Sequence, residues 1–337
     1  MMAADQAANG AMTLAPRVSL FPAIVNVEVL RGRCPCRCVH CPVGLVSPSA
    51  RRHHFGFQTM EFSLFQRIAD EIAEHPSTVL RIHSTGEPLL WRHLPQAATY
   101  LREQAVRSWL FTCGVTTDKD LLRSIMEDLD IVEVSIDAVN AGDYRATKGV
   151  NAFDRVKRNL DYMACCSPDA RRARLLVSRV GSADAERDQA FIDYWRSTGL
   201  VDDAFVRSRH SYNRLLDRTP IDATPEASPC LVHWARFNIA LDGTAVVCFN
   251  ELFKQTLDPS VRLGSTFEES IAQIWHGSRL HEVRRVNLTG AYDPAGWSGQ
   301  LPCRTCTECQ PLNGVPGRRT SEHQVGQLGG RYDPLLS

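Results

Sequence analysis

Between residues 23 and 209, six short apolar runs alternate with amphipathic ones, and no other feature of the chain restricts its fold as much. AIVNVEVL (23–30), TVLRIHSTG (78–86), SWLFTCG (108–114), IVEVSIDA (131–138), ARLLVSRV (173–180) and DDAFVRSR (202–209) read as strands, being short and rich in β-branched and aromatic residues. Helical spacing fills most of the gaps. Leu64, Ile68 and Ile72 share one face, as do Phe153, Val156, Leu160 and Met163, and Phe191, Tyr194 and Trp195 are similar. Such alternation predicts an α/β fold with a parallel sheet, here a partial (β/α)6 barrel, whose site lies at the carboxyl ends of the strands.

The pattern stops near residue 215. LLDRTPIDATPEASP (215–229) reads as a linker, and ARFNIALDGTAVVCF then alternates around Asp242-Gly243, a hairpin signal. A helix is expected from Glu268 to about Val286, followed by a loop with three close cysteines. The expected organisation is an N-terminal extension (1–22), the barrel (23–214), the linker (215–229), a small domain of β-hairpin plus helix (230–312) and a weakly ordered tail (313–337). A chain of 337 residues suits one large and one smaller domain.

Composition removes several function classes. The 38 basic and 38 acidic residues cancel, so there is no electrostatic footprint for nucleic acid. No apolar run approaches the roughly 18 to 20 residues that span a bilayer. The partner is expected to be small or a protein. Lysine occurs only at 119, 148, 157 and 254, a bias toward arginine that carries no functional weight. The start, MMAADQAANGAMTLAPRVSL, has no basic segment followed by an apolar core, so a reducing, cytoplasmic setting is expected. Twelve cysteines there read as metal or iron–sulfur ligands rather than disulfides.

Directly after the first strand comes RGRCPCRCVHCPV, with Cys34, Cys38 and Cys41 separated by three and then two residues. Three thiolates on a loop at a strand end can hold a four-iron cluster and leave one iron open to a substrate. A zinc knuckle completed by Cys36 is the competing reading.

This spacing, with His40 before the last cysteine, closely resembles the radical S-adenosylmethionine (SAM) enzymes over residues 23 to 212. Ser84-Thr85-Gly86-Glu87-Pro88 is similar to the family's glycine-glycine-glutamate motif, with Thr85 in place of one glycine. The resemblance implies that Gly86 and Glu87 hold the methionine amino group. It also implies that Ser135, in Val134-Ser135-Ile136-Asp137-Ala138, lies near the ribose, and that Ser178 or Arg179 on the fifth strand reaches the cofactor carboxylate, an ordinary solvent-facing strand end being the competing reading. Cys113, where many relatives carry asparagine, is expected to pack, as are Cys165 and Cys166 late in a helix. The implied chemistry is reductive cleavage of SAM to a 5'-deoxyadenosyl radical that takes hydrogen from an unactivated carbon.

Cys230 and Cys248 are brought together by the hairpin, and Cys303-Arg-Thr-Cys306-Thr-Glu-Cys309 adds a close pair with one to spare. Residues 230 to 309 resemble the auxiliary-cluster domain called SPASM in its short, twitch form. That resemblance implies a second [4Fe–4S] cluster on Cys230, Cys248, Cys303 and Cys306, with Cys309 as a possible substitute for Cys306. A zinc ribbon from the same four sulfurs is the competing reading.

An electron acceptor beside a radical site suits a net two-electron oxidation. The short form looks most like the aminocyclitol dehydrogenases of antibiotic pathways, the 2-deoxy-scyllo-inosamine dehydrogenase type, which implies oxidation of a secondary alcohol to a ketone. Arg207, Arg209 and His210 follow the sixth strand: an arginine would orient the hydroxyl and His210 would be the more ordinary base, unless all three are solvated loop charges. The adjacent His53 and His54 do not converge on a metal and read as loop. Three alternatives stay open: modification of a ribosomally made peptide, disfavoured because only 22 residues precede the first strand; redox-neutral epimerisation, dehydration or decarboxylation of a sugar or nucleoside; and a non-catalytic iron–sulfur or zinc binding protein. A reducing partner such as flavodoxin or ferredoxin is expected.

Overall fold

The six apolar runs pair side by side in the order in which the chain makes them. The structure, a computed structural model, describes residues 18–166, 169–216, 229–306 and 308. Strands β1 (Ile24–Arg31), β2 (Val79–Thr85), β3 (Arg107–Thr112), β4 (Ile131–Ser135), β5 (Arg174–Val180) and β6 (Asp203–Arg207) are each parallel to their neighbours. Helices α1 (Pro42–Leu45), α2 (Arg51–Phe55) and α3 (Phe62–Ala73) follow β1, and α4 (Leu94–Glu103) follows β2. Next come α5 (Lys119–Asp128) after β3, α6 (Ala141–Lys148) and α7 (Phe153–Cys165) after β4, and α8 (Ala185–Ser197) after β5. The spaced apolar residues lie where the pattern puts them: Leu64, Ile68 and Ile72 of α3 and Val156, Leu160 and Met163 of α7 are buried against the outer face of the sheet.

The inner face shows that the sheet curls. Ile24, Val79, Trp109, Ile131, Leu176 and Phe205, one from each strand, pack into a single apolar cluster. The Arg207 guanidinium of β6 also lies 5.6 Å from the Trp109 ring of β3, strands that in a flat sheet would stand roughly 14 Å apart, three spacings of about 4.8 Å. Two residues further along each strand the same face carries Asn26, Arg81, Phe111, Glu133, Ser178 and Arg207, mostly polar. An apolar floor therefore supports a polar layer directly beneath the carboxyl ends of the strands.

The curl does not close. Strand β7 (Arg236–Ile239) lies parallel to β1 on its free side, and β8 (Thr244–Val246) and β9 (Arg262–Ser265) continue antiparallel. The order is β6-β5-β4-β3-β2-β1-β7-β8-β9, one mixed sheet. The expected C-terminal hairpin thus forms, but on the edge of β1 rather than as a separate sheet. The reason is visible in β1, which is buried along its whole length and would otherwise present an unpaired edge.

Three further expectations are corrected. The helix expected from Glu268 to Val286 is two helices, α10 (Ile271–Trp275) and α11 (Ser278–Thr289), reached after the short α9 (Val232–Ala235). Gly277 takes an extended conformation between them, and Ser270 opens α10 with a capping box. The run IVEVSIDA ends as a strand at Ser135, two residues before Asp137 adopts a left-handed φ of 60°. Cys165 is exposed while its neighbour Cys166 packs on the core; successive helical positions point about 100° apart, so both cannot face inward. Residues 1–17 of the extension, 217–228 of the linker, and the tail from 313, together with Cys309, lie outside the described residues. Among the described residues no helix is long and apolar enough to cross a membrane.

Candidate active site

The loop that climbs from β1 is held from both sides. The Arg37 N–H donates to Lys148 O (2.8 Å) and the Val39 N–H to Thr147 O (3.0 Å), which anchors the loop on the end of α6. From beneath, the buried Arg51 guanidinium donates to the carbonyls of Cys34 (2.7 Å), Cys36 (2.9 Å) and Val46 (3.1 Å). A Cβ on Gly44 would lie 2.1 Å from Cys38 O, so the turn admits only glycine.

Cys34, Cys38 and Cys41 line one cavity, and the sulfurs of Cys34, Cys36 and Cys113 lie within 4.8 Å of one another. Hydrogen bonds with Cys113 and Cys36 bring the Cys34 thiol down to about 6. Burial, then the Cys38 charge, pushes Cys41 up to about 12. Cys113 is buried as expected, yet its thiol belongs to this sulfur group and does more than fill space. It stands just past β3, where strand ends converge above the curl.

Beside the loop, the turn after β2 approaches so closely that a Cβ on Gly86 would meet Leu30 Cδ2 at 2.4 Å and Arg33 O at 2.6 Å. The Glu87 N–H donates to Arg33 O (2.7 Å). Its buried carboxylate accepts from the N–H groups of Leu89 (3.1 Å) and Cys113 (2.7 Å) and from the Thr112 hydroxyl. These donors are neutral, and none of them supplies a counter-charge to the carboxylate. Thr85 donates to the Glu28 carboxylate, which also receives a bidentate pair from Arg31 at 2.9 and 3.1 Å. The threonine that replaces a glycine therefore ties β2 to β1.

At the end of β4 the Ser135 hydroxyl donates to Asp137 (3.0 Å) and accepts from Lys148 Nζ (2.9 Å). Lys148 and Asp137 form an ion pair with both side chains 2% exposed, and His40 Nε2 lies 3.7 Å from the same carboxylate. Burial alone would raise the Asp137 carboxyl; Lys148 and His40 overcome it and hold the group well below its ordinary range. Burial would likewise lower Lys148, but Asp137, Cys38 and Cys36 hold it well above. Nothing in the sequence singled out Lys148, because the contact that buries it joins the end of a helix to a strand end.

On β5 and β6 the structure separates the candidates. The Ser178 hydroxyl donates to Glu133 (2.5 Å) within the polar layer and does not line the cavity. Arg179 points the other way, to Asp188 on α8 at 3.3 Å, because successive strand residues face opposite sides. Arg207 lines the cavity with both Glu133 oxygens in hand, at 2.7 and 2.5 Å. His210 lines it as well, whereas Arg209 does not. His83, which sequence reasoning missed, stacks on Phe111 at 5.2 Å and meets the edge of Phe249 at 4.1 Å. Alternation along β2 from the buried Val79 would have placed it on the inner face.

Cys230, Cys248, Cys303 and Cys306 line the same cavity. The Cys230 N–H donates to Asn287 Oδ1 (2.6 Å), and the Cys306 N–H to Cys303 O (3.3 Å). Burial, then their mutual proximity, pushes Cys248 and Cys303 well above the ordinary thiol value, and burial raises Cys306 to about 11. His233 was not anticipated. Its Nε2 lies 3.5 Å from Cys303 Sγ, and burial, then Arg284, brings it down to about 4. Glu308 accepts from the N–H groups of Ser211 and Asn213 and from the Asn250 amide, clipping the last cysteine turn to the loop after β6.

The two thiol sets share a cavity of ≈ 500 Å³, and the donors fit iron–sulfur clusters. Buried thiols give up protons to a soft metal. The first set offers three spaced cysteines next to an uncompensated carboxylate, Glu87, suited to an ammonium. The second offers four.

Residues 29–164 match the radical SAM superfamily, and residues 230–310 match SPASM, an iron-sulfur cluster-binding domain. The PqqA peptide cyclase of Granulibacter bethesdensis is 26% identical over 324 residues, covering 86% of this chain and 80% of that protein. The Fe-coproporphyrin III synthase of Methanosarcina barkeri is 30% identical over 132 residues, 38% of this chain and 31% of the synthase, so the match spans about a third of that relative. Among solved structures, BtrN in complex with AdoMet and 2-DOIA superposes with a TM-score of 0.57 at 16% identity, covering 90% of this chain and 98% of BtrN, a likeness of fold.

An α/β sheet with two cysteine sets lining one cavity, together with these two domain matches, defines an iron–sulfur oxidoreductase. The chain belongs to the radical SAM superfamily, in the branch that carries a C-terminal SPASM domain, and its cofactors are SAM and two [4Fe–4S] clusters.

Proposed function

We propose that the enzyme removes two electrons and two protons from a small polar substrate, converting a secondary alcohol of a sugar or aminocyclitol to a ketone. The observation that carries this reading is the single cavity faced by both cysteine sets, since a substrate held there stands between a radical source and an electron acceptor. When bound, the cofactors supply a 5'-deoxyadenosyl radical and a one-electron sink.

The chain's own residues do the rest. Glu87 receives the SAM ammonium, and Gly86 lets the backbone approach it. Ser135 and His40, braced by Asp137 and Lys148, border the same pocket. Arg207, fixed by Glu133, orients the substrate hydroxyl, and His210 takes its proton. The curled sheet serves as a partial (β/α)6 barrel over residues 23–214, with 230–312 as the auxiliary domain. A flavodoxin or ferredoxin in a reducing cytoplasm supplies electrons.

The test is anaerobic incubation of the reconstituted enzyme with SAM and dithionite. It should yield 5'-deoxyadenosine, and with substrate a ketone; no 5'-deoxyadenosine would sink the reading. A second reading, modification of a peptide, is favoured by the relative named a peptide cyclase, which aligns with 86% of the chain. Peptide crosslinking without ketone formation would select it.

A further inference from the structure

Helix α11 turns one face to the second thiol set. Asn287 accepts the Cys230 N–H on its Oδ1 at 2.6 Å, and one turn earlier the Arg284 guanidinium reaches α9, where Nε donates to His233 O at 2.8 Å. Its Nη1 donates to Trp275 O, at the end of α10, also at 2.8 Å, and the group lies 4.2 Å from the centre of the Trp275 ring. All of these partners are neutral. Arg284 is buried, its Nη2 bonds to no other described residue, and no carboxylate among them acts on the group: burial by itself brings the guanidinium down to about 10. At neutral pH it is therefore an interior cation to which the described residues bring no negative charge.

His233 carries the connection to sulfur. Its carbonyl accepts from Arg284, while its buried ring puts Nε2 3.5 Å from Cys303 Sγ. The other ring nitrogen, Nδ1, has no hydrogen-bond partner among the described residues. A thiolate accepts and cannot donate, so a neutral ring facing one carries its proton on Nε2. A four-iron cluster on four thiolates has a net negative charge that grows when it is reduced. A nearby cation, or an N–H aimed at a ligand sulfur, therefore stabilises the reduced form more than the oxidised one and raises the potential. An anionic cluster is also the counter-charge that suits a guanidinium kept from water.

We propose that Arg284 and His233 raise the reduction potential of the auxiliary cluster, His233 by donating Nε2–H to the Cys303 thiolate and Arg284 by its buried charge. Neither residue touches substrate; together they set how readily the cluster accepts an electron. This rests on reading Cys230, Cys248, Cys303 and Cys306 as the ligands of that cluster.

The reconstituted holoenzyme is poised anaerobically at a series of potentials and frozen for electron paramagnetic resonance; the wave absent from Cys230→Ala belongs to the auxiliary cluster. Arg284→Gln drops the charge but keeps a donor, and should lower that midpoint by at least about 59 mV, a tenfold loss in the one-electron equilibrium. Arg284→Lys keeps the charge and should lose less than half as much. His233→Phe keeps the ring without its N–H and should cost at least threefold in the same equilibrium. The first cluster's midpoint should stay put in all three variants. A merely structural role would lower Tm or iron content and leave the midpoint of the remaining cluster where it is in the parent. An unmoved midpoint in His233→Phe, or equal shifts in Arg284→Gln and Arg284→Lys, overturns the proposal; should Arg284→Gln lose its iron, His233→Phe and Arg284→Lys decide. If Cys230→Ala removes no wave, the ligand reading fails instead, a result separate from a midpoint that does not move.

Discussion

The Glu87 carboxylate accepts a 2.7 Å hydrogen bond from the Cys113 backbone N–H, joining the turn after β2 to the end of β3. The bond aims a charged oxygen pair at the space beside the cysteine loop. Glu87→Gln keeps the volume but turns an amide toward donors. A hydrogen bond to a charged group is worth about 1.5–3 kcal/mol, so SAM affinity should fall at least tenfold with iron content unchanged. Equilibrium SAM binding measures this, and an unaltered Kd would remove Glu87 from the ammonium site.

The two cysteine sets should fail differently. Cys34→Ala, Cys38→Ala or Cys41→Ala should halve the iron content and abolish SAM cleavage. Cys230→Ala or Cys248→Ala should also halve the iron but leave cleavage intact while stopping product oxidation. Iron analysis with 5'-deoxyadenosine and product quantified in parallel separates the cases. Undiminished product yield in Cys248→Ala would refute the acceptor role.

Lys148 neutralises Asp137 where neither reaches water. Lys148→Met strands the carboxylate, and breaking a buried pair by removing one partner costs about 3–5 kcal/mol. The Asp137 pKa is depressed in the folded protein. Its ionised form therefore contributes stability above the unfolded value of about 4, which is lost as pH falls below that. Melting curves across acidic pH should show a shallower acid limb in Lys148→Met, and Lys148→Met/Asp137→Asn should recover part of the loss. A double variant no more stable than the single one would count against this account.

Arg51 holds three loop carbonyls with one planar group. Lys at this position keeps the charge but cannot span them. In Arg51→Lys the first cluster should form yet release iron to a chelator several-fold faster than in the parent. Equal release rates would show that the loop is held by its α6 contacts alone.

Much of the fold was legible because burial is periodic. The β-branched runs became β1 to β6 within a few residues, and the four-residue spacing in α3 and α7 marked the faces that pack. Cysteine spacing marked both thiol sets. What stayed hidden depended on contacts distant in sequence. Lys148 and Asp137 meet across 11 residues of helix and turn, and Arg51 reaches back 17 residues to Cys34. Strand β9 is a short stretch, Arg262–Ser265, that becomes a strand only because β8 offers it an edge. Ser178 read as a cofactor contact because nothing local revealed that Glu133, on the neighbouring strand, would claim its hydroxyl.

The ladder between β1 and β7 pairs Ile24 with Arg236 and Val27 with Ile239. Cys34 follows directly from one of these strands, and Cys230 and Cys248 flank the hairpin begun by the other. In the proposed oxidation, the span between the two cysteine sets is ruled by main-chain hydrogen bonds between adjacent strands rather than by a hinge between bodies. Tunnelling is steep in distance, and a peptide ladder is the stiffest gauge a protein can build. Side chains around the cavity are then at liberty to change which molecule is oxidised while the length of the jump stays the same.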